Sequence, residues 1–117
     1  MFDPSEFIEF AKKLLKVDGK FNEDAKNRTI ISRTYFGTLL LTRNKLDKPE
    51  ENLPSDNKIH EIVVNKLHAV DENLGDLLFT LHENRLKADL DLNYDSSKDV
   101  VDSIGIADFL KGKLHNF

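Results

Sequence analysis

Residues 22–46 read NEDAKNRTIISRTYFGTLLLTRNKL, and this stretch decides the fold. It contains no proline, and its apolar residues cover a wide arc of a helix instead of alternating with polar ones as in a strand. These residues are Ile30, Ile31, Phe36, Leu39, Leu40 and Leu41. A helix that is apolar over such an arc is expected to be buried on several sides. The stretch therefore predicts a long central helix, from about Asn22 to Leu46.

A shorter helix is predicted before it. Asp3-Pro4-Ser5-Glu6 is typical of a helix start, because Asp3 can cap, proline fits the first helical position and Glu6 can return a bond to the cap backbone. Phe7, Ala11 and Leu14 then recur at three- and four-residue intervals, and Gly19 supplies a stop. We expect this helix to pack against the central one through that apolar stripe.

Three more helices are predicted after the central one. The third covers about Lys58 to Val70 and the fourth about Glu72 to Ala88, where Asp71 either caps the fourth or lies at a kink in one longer helix. Ser96-Ser97-Lys98-Asp99 has the pattern of a capping box ahead of a fifth, terminal helix. The stretch from Asp47 to Asn57, with Pro49 and Pro54, is expected to be an exposed, mobile connection.

No run alternates apolar and polar residues well enough to predict a strand, so the fold class is all-α, an up-and-down bundle of four to five helices. A chain of 117 residues has the size of one domain, spanning residues 1–117. With 17 Lys+Arg against 21 Asp+Glu, its net charge of −4 offers no overall basic field for nucleic acid. Any such contact has to be local.

Cysteine is absent, which excludes disulfides, thiolate metal sites and a cysteine nucleophile. Together with the lack of a signal peptide or a long apolar run, this predicts a cytoplasmic protein without membrane contact. None of the four histidines, His60, His68, His82 and His115, is three or four residues from another. The spacing therefore predicts no metal site, although a site assembled from distant segments stays open. No glycine-rich phosphate loop is present either, and we expect no cofactor.

Arg85 is the first candidate for function. It follows Leu81 by four residues and Leu78 by seven, so helical geometry places it on the apolar stripe of the fourth helix. A guanidinium group there needs partners, and Asp89 lies one turn later. Two interpretations stay open: a structural ion pair, or a functional site to which the nearby His82 and Asn84 would contribute.

A second polar patch, Ser32-Arg33-Thr34-Tyr35, lies on the central helix. Arg33 and Tyr35 beside bulky apolar residues could line a cleft between helices. The alternative is that Tyr35 fills the core and keeps its hydroxyl at the edge.

These two motifs resemble those of a known family. Ser32-Arg33-Thr34-Tyr35-Phe36 in the second helix, a third helix that contains histidine, LHENRLKAD at residues 81–89 and a terminal amphipathic helix are similar to the small prokaryotic HEPN proteins. The resemblance implies an up-and-down helical bundle that dimerises through the face carrying the polar motif. It also implies a role in toxin–antitoxin, antiphage defence or RNA processing, often beside a nucleotidyltransferase partner.

The chain departs from the ribonuclease members of that family. Their motif has an arginine followed, four to six residues later, by histidine, but positions 90, 91 and 92 here are Leu90, Asp91 and Leu92. Metal-independent RNA cleavage needs a group that moves protons near neutral pH, and histidine is the usual one. Whether the chain is an enzyme is therefore left open, with Arg85 and His82 as the candidates for catalysis.

The sequence thus predicts that RNA or a nucleotide binds at a polar cleft. Its expected ligand-binding residues are Arg85, Asn84, Asp89, Arg33 and Tyr35, and the expected assembly is a homodimer. The alternative function is a non-catalytic helical module for dimerisation or protein interaction.

Overall fold

A computed structural model describes residues 2–46 and 58–117 and confirms an all-helical bundle over these ranges. The five helices are α1 (Ser5–Leu15), α2 (Glu23–Leu46), α3 (Lys58–Val70), α4 (Glu72–Leu90) and α5 (Val100–Leu114). The predicted bounds of the second and third helices hold to within a residue, and α4 runs two residues further than predicted. The predicted connection from Asp47 to Asn57 lies outside the described residues.

Side-chain caps account for three of the helix starts. The Asp3 carboxylate accepts a hydrogen bond from the Ser5 N–H at 2.9 Å, and the Asn22 side chain accepts one from Ala25 at 3.0 Å. Asp71 accepts from the Leu74 N–H at 3.1 Å. Each bond satisfies an amide that has no partner within its helix.

Asp71 also settles whether the third and fourth helices are continuous. Its backbone is extended, with φ −152° and ψ 110°, so α3 and α4 are two helices joined by this single residue. They pack very closely, because a Cβ atom added to Gly75 would lie 2.5 Å from both Cα and Cβ of His68. Glycine at position 75 is therefore required by the helix contact.

The capping box predicted at Ser96 is wrong. Ser96 is buried and its hydroxyl donates to the Asp24 carboxylate on α2 at 2.6 Å. Asp99, the residue before α5, makes no side-chain cap and instead accepts a hydrogen bond from the Tyr94 hydroxyl at 2.5 Å. The motif is used for tertiary contacts instead of a cap, because the chain folds back onto α2 at this point.

The centre of the bundle is α2, which packs against each of the other four helices, as its apolar pattern predicts. The core has two apolar clusters and α2 contributes to both. The larger one contains Ile8, Tyr35, Leu39, Val63, Leu67, Leu78, Leu81, Ala107, Leu110 and Leu114, and the smaller one contains Ala11, Ile30, Ile31, Ala88, Val100 and Ile104.

Arg28 connects α2 to the carboxyl end of α4. Its guanidinium group donates to the backbone carbonyls of Ala88 at 3.1 Å, Asp91 at 2.7 Å and Tyr94 at 2.9 Å. Its Nε also donates to the Asp24 carboxylate at 3.0 Å. The last carbonyls of a helix lack partners within it, and a cation is favourable there. Arg28 thus acts as the cap that the end of α4 needs.

Among the described helices, none combines the length and the apolar character that crossing a bilayer would require.

Candidate functional site

Polar side chains from three helices meet beside the larger apolar cluster. We call Tyr35 of α2, His60 of α3, and His82 and Arg85 of α4 the polar cluster. The Tyr35 hydroxyl lies 2.6 Å from His60 Nδ1. The His60 and His82 rings stack with centroids 5.1 Å apart, and the Tyr35 ring is 5.2 Å from that of His82. The packing of α2, α3 and α4 therefore brings together residues that are up to 50 positions apart in the sequence.

The environment keeps the two histidines neutral. Burial lowers the pKa of His60, and the neighbouring His82 and Arg85 lower it further. Burial and then Arg85 lower the pKa of His82, against a smaller opposing effect of Glu83. Burial raises the pKa of Tyr35 above its usual range, so its hydroxyl stays protonated. A neutral imidazole has one donor and one acceptor nitrogen, and His60 Nδ1 can therefore accept a hydrogen bond from the Tyr35 hydroxyl.

Arg85 and His82 each have a buried nitrogen without a hydrogen-bond partner. Arg85 Nε lies 2.9 Å from Asp89 Oδ2, but its N–H does not point at the carboxylate well enough for a hydrogen bond, so the contact is an ion pair. His82 Nδ1 is also buried and unpaired. Thr34 Oγ1 is the third such side-chain atom in the described ranges. Buried polar atoms nearly always have partners, so two unpaired nitrogens one turn apart require an explanation.

A second guanidinium group contacts the same aromatic ring as that of Arg85. The Cζ atoms of Arg33 and Arg85 are 5.0 and 4.9 Å from the centroid of the same Phe36 ring. Arg33 also lies over Phe7, at 5.6 Å. Cation–π contacts stabilise both groups without using their N–H donors. Two positive charges thus contact one aromatic ring on a chain of net negative charge.

Asp89 is the carboxylate that balances this charge. Besides its ion pair with Arg85, it accepts a hydrogen bond from Ser32 at 3.3 Å. Ser32 and Asp89 line an open depression between α2 and α4, together with Arg28, Thr29, Arg33 and Ala88. A ligand in this depression would meet the Arg33 side chain and the Asp89 carboxylate that pairs with Arg85.

Arg28 and Arg33 border the same depression but differ in the donors they have left. All three nitrogens of the Arg28 guanidinium already donate to a carboxylate or to carbonyls. For Arg33 and for the terminal nitrogens of Arg85, nothing within residues 2–46 and 58–117 accepts a hydrogen bond. A guanidinium carries five N–H donors in a planar fork that matches phosphate and carboxylate groups. Arg33 and Arg85 are therefore equipped to bind an anion, and Arg28 is not.

Five of the residues singled out in the sequence come together here: Arg33, Tyr35, His82, Arg85 and Asp89. Asn84 does not join them, because it is buried on the side of α4 that faces α5, where its amide donates to Ser103 Oγ at 3.4 Å. Its role in ligand binding stays a prediction that this position does not favour.

His60 is the member of the polar cluster that sequence reasoning missed. Its spacing from the other histidines gives no signal, since its partners lie 25 positions before it and 22 after it. Only the packing of α3 against α2 and α4 brings it close to them. Tyr35 matches the second interpretation given to it, because its ring is fully buried in the core while its hydroxyl reaches His60. Its contact with a ligand stays a prediction.

A group with the chemistry of metal ligands lies elsewhere. His68, Glu72 and Asp76 place ligand atoms within 4.8 Å of one another, and His68 Nε2 is 3.4 Å from Asp76 Oδ1. All three residues are exposed, and exposed acidic groups of this kind are common without an ion. We assign no metal to them.

No family model matches the chain, and no curated protein or solved structure matches it significantly.

Proposed function

We propose that this protein binds RNA or a nucleotide through a phosphate group held by Arg33 and Arg85. The observation that carries the proposal is that two guanidinium groups contact the same Phe36 ring, with Arg85 Nε and His82 Nδ1 buried nearby without a hydrogen-bond partner. An incoming phosphate oxygen supplies an acceptor for Arg33 and for the terminal nitrogens of Arg85. The resemblance to the small HEPN proteins, on the same two motifs, supports the same ligand class.

RNA or a nucleotide can also form stacking contacts and uncharged hydrogen bonds at this site. Phe36 is partly exposed beside the two arginines and offers an aromatic surface for a base. The neutral imidazoles supply hydrogen bonds to a ribose or phosphate without adding positive charge. Asp89 competes with the phosphate for Arg85, so binding replaces an internal ion pair by a charge-assisted bond to the ligand.

The test is a binding titration with two probes, a short fluorescein-labelled single-stranded RNA and a fluorescent ATP analogue. Arg85→Gln and Arg33→Gln are each expected to weaken binding about tenfold or more, because a hydrogen bond to a charged group contributes about 1.5–3 kcal/mol. Arg43→Gln is the control, since Arg43 is on α2 but outside the polar cluster. For the RNA probe, each loss also reduces the salt dependence of log K by about 0.7. Equal affinity in all four proteins would refute the proposal.

RNA cleavage is tested separately, with the same purified protein. The purified protein is incubated with mixed RNA at pH 6–8 without added metal. Cleavage that Arg85→Gln and His82→Gln abolish would make the protein a ribonuclease, and the absence of cleavage would leave a binding protein. The missing histidine after Arg85 favours the binding protein.

The resemblance extends the proposal to a cellular setting. We propose a component of a toxin–antitoxin, antiphage defence or RNA-processing system whose partner protein is a nucleotidyltransferase. A nucleotidyltransferase gene beside this one, and co-purification of the two products after joint expression, are the expected findings. A neighbourhood without such a gene would remove this part of the proposal and leave the phosphate site standing.

A second function is favoured by one contact. Arg85 forms an ion pair with Asp89, and Ser32 donates a hydrogen bond to the same carboxylate. These contacts are also expected if Arg85 only stabilises the fold of a protein-interaction module. That function predicts that Arg85→Gln lowers the melting temperature while neither probe binds the wild type. Parallel thermal melts and titrations separate the two functions.

A further inference from the structure

The outer surface of α5 is apolar although it faces away from the core. Val101 is 62% exposed and Phe109 50% exposed. The inward side of α5 is already apolar and buried, with Ile104, Ala107 and Leu110 in the core. A helix that is apolar on both sides is normally covered on both sides. The outer surface of α5 is therefore built for a contact that a single chain does not make.

This surface continues into a groove between α4 and α5. Leu77, Val101, Asp102, Gly105, Ile106 and Phe109 line it. Asp102 is the one charged residue among these six, and within the described residues it makes neither a hydrogen bond nor an ion pair. Lys113, on the same side of the helix, lies with its Nζ 5.4 Å from the centroid of the Phe109 ring. The groove thus has an unpaired negative charge near one end of the exposed helix face and a positive charge near the other.

We propose that this surface, which we call the α5 face, binds a second copy of the chain, with the two α5 helices antiparallel. At about 1.5 Å rise per residue, an antiparallel pair that sets Phe109 against the partner's Gly105 sets Val101 level with the partner's Lys113. Asp102 is then within about one residue's rise of that lysine. Two-fold symmetry repeats the pair, so two Asp102–Lys113 ion pairs flank the apolar contact.

Gly105 fits this arrangement. A Cβ atom at position 105 would meet no atom within 4 Å in the chain itself, so nothing inside the monomer requires glycine there. Glycine in an exposed helix is less favourable than alanine by about 1 kcal/mol. Its absence of a side chain gives the ring of the partner's Phe109 a place to pack. The dimer therefore explains a residue that the monomer does not need.

The α5 face is separate from the polar cluster. His82 and Arg85 lie on the side of α4 that faces α2 and α3, whereas Leu77 faces the groove beside α5. The resemblance stated above implies a dimer through the polar motif. The proposed dimer instead leaves Arg33 and Arg85 open to ligand, and it does not depend on the proposed function.

The first test measures the oligomeric state of the full chain by sedimentation equilibrium over a range of concentrations. The wild type is expected to dimerise, and Phe109→Glu is expected to be monomeric at every concentration. Phe10→Glu is the matched control, because Phe10 on α1 is 53% exposed and lies outside the α5 face. A monomeric wild type would overturn the proposal, as would a Phe109→Glu dimer of unchanged affinity.

The second test fixes the register. Asp102→Lys and Lys113→Asp are each expected to raise the dimer dissociation constant about tenfold or more, because each change places like charges together twice per dimer. The double variant Asp102→Lys/Lys113→Asp restores opposite charges and is expected to recover an affinity within about threefold of wild type. Both positions are exposed, so circular dichroism of all three variants should remain that of the folded chain. A double variant as weak as the single ones would refute the antiparallel arrangement.

Gly105→Ala provides a readout that a loss of folding cannot mimic. It is expected to weaken dimerisation about tenfold while leaving the helical signal and melting temperature of the dilute monomer unchanged or higher. A dimer that tolerates alanine at this position without loss of affinity would contradict the close approach of the two helices.

Discussion

Replacing Arg28 by methionine should destabilise the protein more than replacing any other surface arginine. The change keeps the aliphatic stem but removes the three donors that reach the carbonyls of Ala88, Asp91 and Tyr94 at 2.7–3.1 Å. Hydrogen bonds to a charged group contribute about 1.5–3 kcal/mol each, so three of them give about 4.5 kcal/mol at the lower bound. Water reaches part of this region and replaces some of the loss, and we therefore expect about 3 kcal/mol.

A loss of about 3 kcal/mol is a large part of the free energy of unfolding of such a domain. A domain of this size unfolds with a free energy of about 5–15 kcal/mol, and a loss of 3 kcal/mol lowers the melting temperature by about 12 °C. Arg28→Lys should lose about 2 kcal/mol, because one ammonium group keeps the charge but cannot reach all three carbonyls.

Urea unfolding followed by circular dichroism measures the change as a shift of the midpoint at constant slope. Arg43→Met, on the same helix, is the control and should shift the midpoint little. An Arg28→Met variant that loses less than about 1 kcal/mol, or no more than the control, would refute the role of Arg28 as the cap of α4.

Three further predictions concern the helix contacts and the polar cluster. Gly75→Ala should destabilise by about 2–4 kcal/mol in urea melts, because its Cβ would lie 2.5 Å from the backbone of α3; a loss below 1 kcal/mol would mean that α3 and α4 can separate easily. Asp71→Ala should cost about 1 kcal/mol in the same assay through loss of the cap, and Asp71→Asn should largely retain it. The lowered pKa values of His60 and His82 mean that the unfolded chain takes up protons first as the pH falls through about 6.5, so the free energy of unfolding should decrease from pH 7 towards pH 5. Urea midpoints of the double variant His60→Gln/His82→Gln should depend less on pH in that window than those of wild type or His115→Gln; equal slopes would contradict the assignment.

Local pattern was sufficient to predict the helices. Their apolar periodicity is a property of neighbouring residues, and the Asp71 cap and the Arg85–Asp89 pair both act within one turn of helix. The Ser96 motif shows the limit of the same logic. A hydroxyl that suits a cap equally suits a carboxylate from another helix, and only the tertiary fold decides which partner is closer.

The candidate site was predictable only in part. Arg85 could be predicted because it is a charged residue on an apolar stripe, and His82 because it lies three residues before Arg85. His60 gave no such signal, because its partners lie 22 and 25 positions away. The contacts of Arg28 with α4 gave none either, because the acceptors lie 60 to 66 positions away and are backbone carbonyls, which every residue has. Their roles depend on how the helices pack, which the periodicity of a single helix does not determine.

The single-residue link between α3 and α4 has a consequence for the order of folding. Closing so short a connection costs little chain entropy, so these two helices are expected to pair early. The contact of Arg28 with the end of α4 closes a loop of about 60 residues and is expected to form later. The carboxyl end of α4, which carries Asp89, would then be the part of that helix that opens most readily in the native state. Amide hydrogen exchange should accordingly be faster there than in the first turns of α4, and Arg85 lies between these two parts of the helix.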